Sequence, residues 1–197
     1  MMRQFHAAKK KHPDALLFFR MGDFYEMFFD DAKVAAEVLG IALTTRDKAK
    51  KVPMAGVPVR AFETYLVRLV RAGHTVAICE QMQDPREVKG IVDRDVVRVV
   101  SPGTLVEDDA LPSNRPLFVL AASPEENGEI GLAWADLSTG SFRCVCVPSD
   151  RFQEELTRIE PAEVVLPEEH ACSSAVKEAG LPLCNRPAWE FDPRDGA

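Results

Sequence analysis

The tightest constraint in this chain is its rhythm, in which short apolar runs closed by glycine or proline alternate with segments of helical period. ALLFFR, IALTTR, HTVAICEQM and DVVRVVSPG are compact apolar runs of strand length. Between them, MRQFHAAKKKH reads as a short amphipathic helix ended by Pro13. VRAFETYLVRLVRAG is the clearest helix, apolar at Phe62, Tyr65, Leu66, Leu69 and Val70 and closed by Gly73. After ALLFFR, Met21 and Gly22 read as a turn. Asp23 then offers an N-cap with Glu26 three residues on, and FYEMFFDDAKVAAEVLG runs at helical spacing to a C-cap at Gly40. The alternation specifies a mixed α/β module over residues 1–104, a mixed sheet with flanking helices.

The pattern breaks at Val106–Pro116, where two aspartates, two prolines and Asn114 read as a linker, and it then restarts. PLFVLAA reads as a strand, PEENG as a turn, and GLAWADL with SFRCVCV as a β-hairpin joined by Ser-Thr-Gly. DRFQEELTRIE reads as a helix and AEVVLPE as the following strand. The expected organisation is a first domain over 1–104, a linker over 105–116 and a second α/β domain over 117–197 that stops at RPAWEFDPRDGA before it is complete.

Charge follows the same division. Residues 1–104 hold 17 Lys+Arg against 13 Asp+Glu, a balance of +4; the remainder holds 7 against 18, or −11, which together give the chain's −7. The first part is thus able to face phosphate and the second is not. No window approaches 18 consecutive apolar residues, and the N-terminus is too charged for the apolar part of a signal peptide, so a cytoplasmic chain without membrane partners is expected. Five cysteines form an odd set without a C-x-x-C pair, which supports neither a disulfide framework nor a zinc site; reduced, mostly buried thiols are expected, with Cys144 and Cys146 on one strand face.

The composition offers no catalytic constellation and no metal ligand set. Neither G-x-x-x-x-G-K-[ST] nor G-x-G-x-x-G occurs. The four histidines are far apart and read as solvated, the pair Asp30 and Asp31 reads as a solvated helix face, and Asp136 reads as a turn-former. A metal-dependent nuclease of ribonuclease-H-like form would need at least three converging carboxylates, of which Asp136 alone is plausibly placed. A protein-interaction adaptor without DNA binding would account for the acidic second half.

MGDFYEMFFD leaves one question open. A capping role accounts for Glu26, and Phe24 could fold back on the same turn, yet the apolar stripe through Met27, Phe28, Ala32 and Ala35 does not require Phe24. Packing and protrusion both stand for that ring.

The blocks LLFFRMGDFYEMFFDDAKVAAEVLGIALTTR, VPMAGVP, YLVRLVRAGHTVAICEQMQDP and VVRVVSPGT closely resemble, in order, the MutS family of DNA mismatch-recognition proteins. LAWADLSTGSF, PAEVVLPEE and RPAWEFD look like the ribonuclease-H-like connector domain of that family. The resemblance implies that the Phe-x-Glu signature falls on Phe24, Tyr25 and Glu26. Phe24 would then wedge into duplex DNA from the minor groove at a mispair or small insertion/deletion loop, Glu26 would hydrogen-bond the displaced base, and Tyr25 would pack inward. It further implies that Met21 and Arg20 position the signature, that Arg46 meets a phosphate and that Met54 in a MAGVP loop packs in the minor groove; for Arg60 and Lys50, with Lys48 and Lys51, contact with the DNA backbone and a solvated loop both stand. Prying one base step apart costs a few kcal/mol in a paired duplex and less at a fault, so a rigid ring turns lost pairing into affinity. Phosphates and adjacent aromatic rings both favour a protonated Glu26, which could donate to a purine ring nitrogen. The resemblance also implies an ATPase domain with ATP and Mg beyond residue 197, a homodimer and a MutL-type partner; these residues themselves are expected to have no cofactor and no enzymatic activity.

Overall fold

Gly22 and Asp23 join two strands rather than a strand and a helix. Gly22 takes a positive φ of 60°, and the residues flanking the pair, Met21 and Phe24, face each other across the ladder. A two-residue loop with glycine first is the connection that type II′ hairpins use. The expected helix from Phe24 to Gly40 is therefore corrected: Phe24–Phe28 is a strand, and the helix begins only at Phe29. Phe29 itself sits at φ 56°, an uncommon conformation for a bulky residue, and marks the abrupt switch of direction. Gly40 ends the helix in the left-handed conformation, as expected.

The computed structural model describes residues 1–46, 52–83, 90–105, 116–192 and 194, which divide into two units, Met1–Ser101 and Pro102–Ala197. In the first unit the chain runs α1 (Met2–Lys11), β1 (Leu16–Met21), β2 (Phe24–Phe28), α2 (Phe29–Leu39), β3 (Thr44–Thr45), β4 (Pro53–Pro58), a short 3-10 helix (Val59–Ala61), α3 (Phe62–Arg71), β5 (Val76–Gln81) and β6 (Arg94–Val100). The strands form one mixed sheet in the order β3-β4-β2-β1-β5-β6, with β1 and β5 parallel and the other pairs antiparallel. The MAGVP segment, read as a loop, is thus a strand between β3 and β2. Its prolines stand at the first and last positions of β4, where a missing N–H disturbs the ladder least, while Ala55 and Val57 alternate into the interior.

Helices cover both faces of this sheet. Leu17, Phe19 and Phe28 face α1, whose Phe5 meets Phe19 and Phe28 edge-on at 5.7 and 5.1 Å. Each such ring contributes roughly 1.5–3 kcal/mol by burial. The other side chains of the same strands, Phe18 and Tyr25 among them, point to the opposite face, where Phe62 of α3 lies 5.2 Å from the Tyr25 ring. Asp31 departs from its expected solvated setting. It is buried, accepts from the Leu17 N–H at 3.0 Å and pairs with Lys9 at 2.7 Å, which fixes α1 to the sheet; Asp30 beside it is exposed.

The second unit contains β7 (Phe118–Ala122), β8 (Glu129–Asp136), β9 (Ser141–Pro148), a 3-10 helix (Ser149–Arg151), α4 (Phe152–Ile159), β10 (Glu163–Pro167), α5 (Ser173–Glu178) and β11 (Leu183–Arg186). The sheet order is β11-β10-β7-β8-β9: β7, β8 and β9 form an antiparallel meander, and β10 and β11 run parallel to β7 and to each other. Both units are mixed α/β, in keeping with the ribonuclease-H-like expectation for the second. Ile130, Leu132 and Trp134 alternate inward along β8 onto Phe152, Leu156 and Ile159 of α4. Asp136 accepts from the Ser138 N–H, the Ser138 hydroxyl and the Thr139 hydroxyl at 2.9, 2.7 and 3.0 Å, so its turn-forming role holds.

Two further readings are corrected. Cys144 and Cys146 are exposed on β9, and Cys79 alone of the five thiols is buried. His170 is not simply solvated: its Nδ1 accepts from the Cys172 N–H at 3.1 Å, which leaves Nε2 to donate to the Ser123 carbonyl at 2.8 Å.

Candidate nucleic-acid interface

Strand alternation decides what β2 offers to solvent. Tyr25 and Met27 turn to the α3 side and are buried, whereas Phe24, Glu26 and Phe28 share the face that α1 covers only in part. Phe28 lies beneath α1. Phe24, at the hairpin end beyond it, keeps 47% of its surface exposed, and Glu26 is half-buried between the two.

Tyr25 anchors the backbone of this pair from below. Its hydroxyl donates to Glu80 of β5, Arg20 pairs with Glu80 at 3.4 Å, and the Arg20 guanidinium lies 5.5 Å from the Tyr25 ring centre. Burial, with the Glu80 carboxylate, pushes the phenol up to about 12, so it remains a donor at any physiological pH. A ring that must probe another molecule without folding back benefits from a neighbour fixed in this way.

Three features surround the Phe24–Glu26 edge. Across the ladder from Glu26 is Gly56 of β4, where an added Cβ would touch the Phe24 ring at 3.8 Å and the Glu26 Cγ at 3.9 Å. The missing side chain leaves a shallow hollow beside both residues. Arg46, just after β3, donates to Glu26 Oε2 at 3.1 Å with its guanidinium 5.2 Å from the Phe28 ring centre. Arg94 at the start of β6 stacks 5.2 Å over Phe19, the residue facing Glu26 on β1, and donates to the carbonyls of Arg20 and Val92 at 2.8 and 2.9 Å. Burial raises the Glu26 carboxyl above its ordinary value. The Arg46 guanidinium opposes that rise, and Arg94 opposes it more weakly.

The remaining sequence candidates spread out from this centre. Met21 faces Phe24 across the hairpin and leans on the α1 core; Met54 faces Phe28 and leans on the same core, half-buried. Arg60 is exposed in the 3-10 helix that follows β4. Lys50, like Lys48 and Lys51, lies outside the described residues. Arg94 and Gly56 escaped the sequence reading. Nothing local marks Arg94, which reaches Phe19 only because β6 and β5 bring it next to β1, but Gly56 in a strand invites the inference of a close approach.

This face of the sheet therefore presents one protruding ring and one half-buried carboxylate within a frame of guanidinium groups. Among the described residues no group of three or more His, Cys, Asp or Glu side chains could hold a metal ion, and no helix is long and apolar enough to cross a membrane. A family model described as MutS domain I matches residues 1–109, and one described as MutS domain II matches residues 118–197. The DNA mismatch repair protein MutS of Rhodopirellula baltica is 43% identical over 216 aligned positions, which cover 99% of this chain and 24% of the relative. The chain thus spans about a quarter of the length of the curated relative it matches.

Proposed function

The chain belongs to the MutS family, and from that membership we propose that it recognises faults in duplex DNA during mismatch repair, with Phe24 as the wedge and Glu26 as the hydrogen-bonding partner of the displaced base. The observation that carries this reading is the 47% exposure of Phe24 beside a locked Tyr25. An unsupported ring on a soluble surface would gain by folding down; one held outward by its strand is suited to stacking on a base. Stacking returns roughly 1–3 kcal/mol whichever base is involved, and the cost of opening the stack is least where pairing has failed. Selectivity then arises from deformability, which suits a reader of many mispairs and small insertion/deletion loops.

Met21 supports the ring from β1, Arg46 and Arg60 meet phosphates, and Met54 borders the groove; Lys50, outside the described residues, is assigned to the DNA backbone. Glu26, whose burial already favours its neutral form, donates to a purine ring nitrogen once phosphates approach. The second unit serves as the connector. In the full-length protein, ATP and Mg belong to an ATPase part outside these residues, the protein acts as a homodimer in the cytoplasm, and a MutL-type partner is recruited. None of those functions is assigned to a side chain described here.

The direct test places Phe24→Ala in the full-length protein and measures affinity for a duplex with one G·T mispair against its matched twin. The preference should disappear while matched-duplex affinity and thermal stability stay unchanged. Retained preference in a folded variant would refute the wedge assignment.

A further inference from the structure

Arg46 holds two positions that conflict once DNA arrives. Its backbone is fixed: β3 pairs with β4 through Thr44 opposite Met54 and Thr45 opposite Pro53, and the Arg46 N–H donates to the Val52 carbonyl at 3.0 Å. Its side chain is not so confined. It crosses the Phe28 ring and places one donor nitrogen, Nη1, on Glu26 Oε2 at 3.1 Å, with a third of its own surface still open to solvent. In the free protein that guanidinium occupies the carboxylate which the proposed function needs to face a base.

The other groups around Glu26 cannot take its place. β1 presents Phe19 and β4 presents Gly56, neither of which is ionisable. The remaining cation acting on Glu26 among the described residues is Arg94 on β6. Its guanidinium is already committed to the carbonyls of Arg20 and Val92 and to the Gln4 side-chain oxygen at 3.2 Å. Among the described residues, Arg46 is both in direct contact with Glu26 and open enough to leave it.

We propose that Arg46 is a partner-exchanging, specificity-setting residue: it occupies the Glu26 carboxylate in the free protein and moves to a DNA phosphate when a mispair is engaged, which frees Glu26 to face the base. The inference rests on the Phe24–Glu26 reading above and adds to it the step that switches Glu26 from an ion-paired acceptor to a donor. A guanidinium prefers phosphate for the same reason it prefers carboxylate, because its planar fork matches both. The exchange therefore swaps one charge-assisted contact for another and leaves the Glu26 oxygen to take up a proton from solvent.

Proton linkage makes the exchange measurable. When mismatch engagement protonates Glu26, the G·T-to-matched affinity ratio is level in acid. It then falls as pH rises from the proton affinity of the free state to the higher one of the bound state, and levels again. Arg46→Met removes the cation from the free state and leaves the bound state as it was, because Arg46 has already departed there. The fall should begin at higher pH, end at the same pH and have a smaller amplitude. The slope of log affinity against log salt should also become shallower by about 0.9 for the G·T duplex, the share of one phosphate, and stay unchanged for the matched one. The experiment uses the full-length protein carrying Arg46→Met, Glu26→Gln or both, with Arg46→Gln in its place if thermal unfolding shows that methionine impairs the fold.

Translation of the whole profile to higher pH with undiminished amplitude would mean that Arg46 stays on Glu26 in the complex, and would overturn the exchange. An unchanged profile or an unchanged salt slope would do the same. Failure of the underlying reading looks different: the parent itself would show no pH-dependent ratio, or Glu26→Gln would keep the parental profile.

Discussion

Each unit of this protein leaves part of a sheet face uncovered, and the two patches differ in what surrounds the exposed ring. On β2 of the first unit, Phe24 stands beside Glu26, Arg46 and Arg94. On β9 of the second, Phe142 is still more exposed, at 68%, yet the nearby hollow is lined by uncharged side chains, Ala121, Ala133, Cys144, Cys146 and Phe191 among them, and the charged group that reaches Cys146 is the acidic Glu129. The flanking sequence repeats the contrast, +4 before residue 105 and −11 after it. On the proposed reading, what sets Phe24 apart from Phe142 is not its exposure but the cations that would draw the phosphates and the fixed backbone that would aim the ring.

The largest effect that would break this comparison comes from the two rings themselves. Phe24→Ala should lower the preference for a G·T duplex by about 1–3 kcal/mol, roughly 5- to 150-fold, the value of one stacked base. Phe142→Ala should leave the preference unchanged when measured in the same full-length protein. Equal losses at the two positions would show that exposed aromatic area, not its ionic frame, governs selectivity.

Asp31 sets how far α1 covers the first patch, so its removal comes next. Asp31→Ala deprives the buried Leu17 N–H of its acceptor and Lys9 of its partner. The first unit should lose about 2 kcal/mol in urea unfolding, within the range for an orphaned buried donor. A loss below a few tenths of a kcal/mol would mean that the contacts of the Phe5 ring, and not this polar link, hold the helix in place.

How much of this was readable beforehand depends on whether the deciding contact was local. The α3 helix was legible because Phe62, Leu66, Leu69 and Val70 repeat at 3.6 and Gly73 stops them. β7, β8, β9 and α4 were legible for similar reasons. The signature strand β2 was misread as helix. Phe24, Met27 and Phe28 lie three and four apart, and Asp23 with Glu26 imitates a capping box, while the pairing of β2 with β1 on one side and β4 on the other depends on residues up to 34 positions away, as in Phe24 opposite Pro58. One local clue did point the right way: Gly22–Asp23 is a two-residue hairpin pair. Family resemblance singled out Phe24 and Glu26 independently of that misreading, since it follows residue identity and not conformation. Arg94 was illegible because its place beside Glu26 is created by the order of the sheet.

The two units also hold their distinctive carboxylates in opposite ways, and acid should separate them by a smaller margin. Hydrogen bonds from Ser138, chiefly its hydroxyl, hold the Asp136 carboxyl below its ordinary value. A folded value below the unfolded one contributes stability above the unfolded value and loses it as pH falls through the folded one. Acid below the ordinary aspartate range, near 3.8, should therefore weaken the second unit through this turn. Asp136→Asn should flatten that part of the acid-unfolding curve; an unaltered curve would show that the turn does not depend on the ionised form.

Glu26 has the reverse sign and the smallest expected effect. Its folded value is raised above the ordinary 4.5, burial outweighing Arg46 and Arg94. Such a group favours the fold below the unfolded value, and that favour is lost as pH rises through the folded one, so at neutral pH the ionised carboxylate is a small liability to its own unit. Glu26→Gln should leave the first unit slightly more stable than the parent at neutral pH, with the difference fading as pH falls towards 4.5. Thermal unfolding of the two proteins across that range measures it. A parent more stable at neutral pH would mean that the Arg46 contact outweighs desolvation, and the carboxylate would then be better explained as a structural ion pair than as a group kept poised to meet a base.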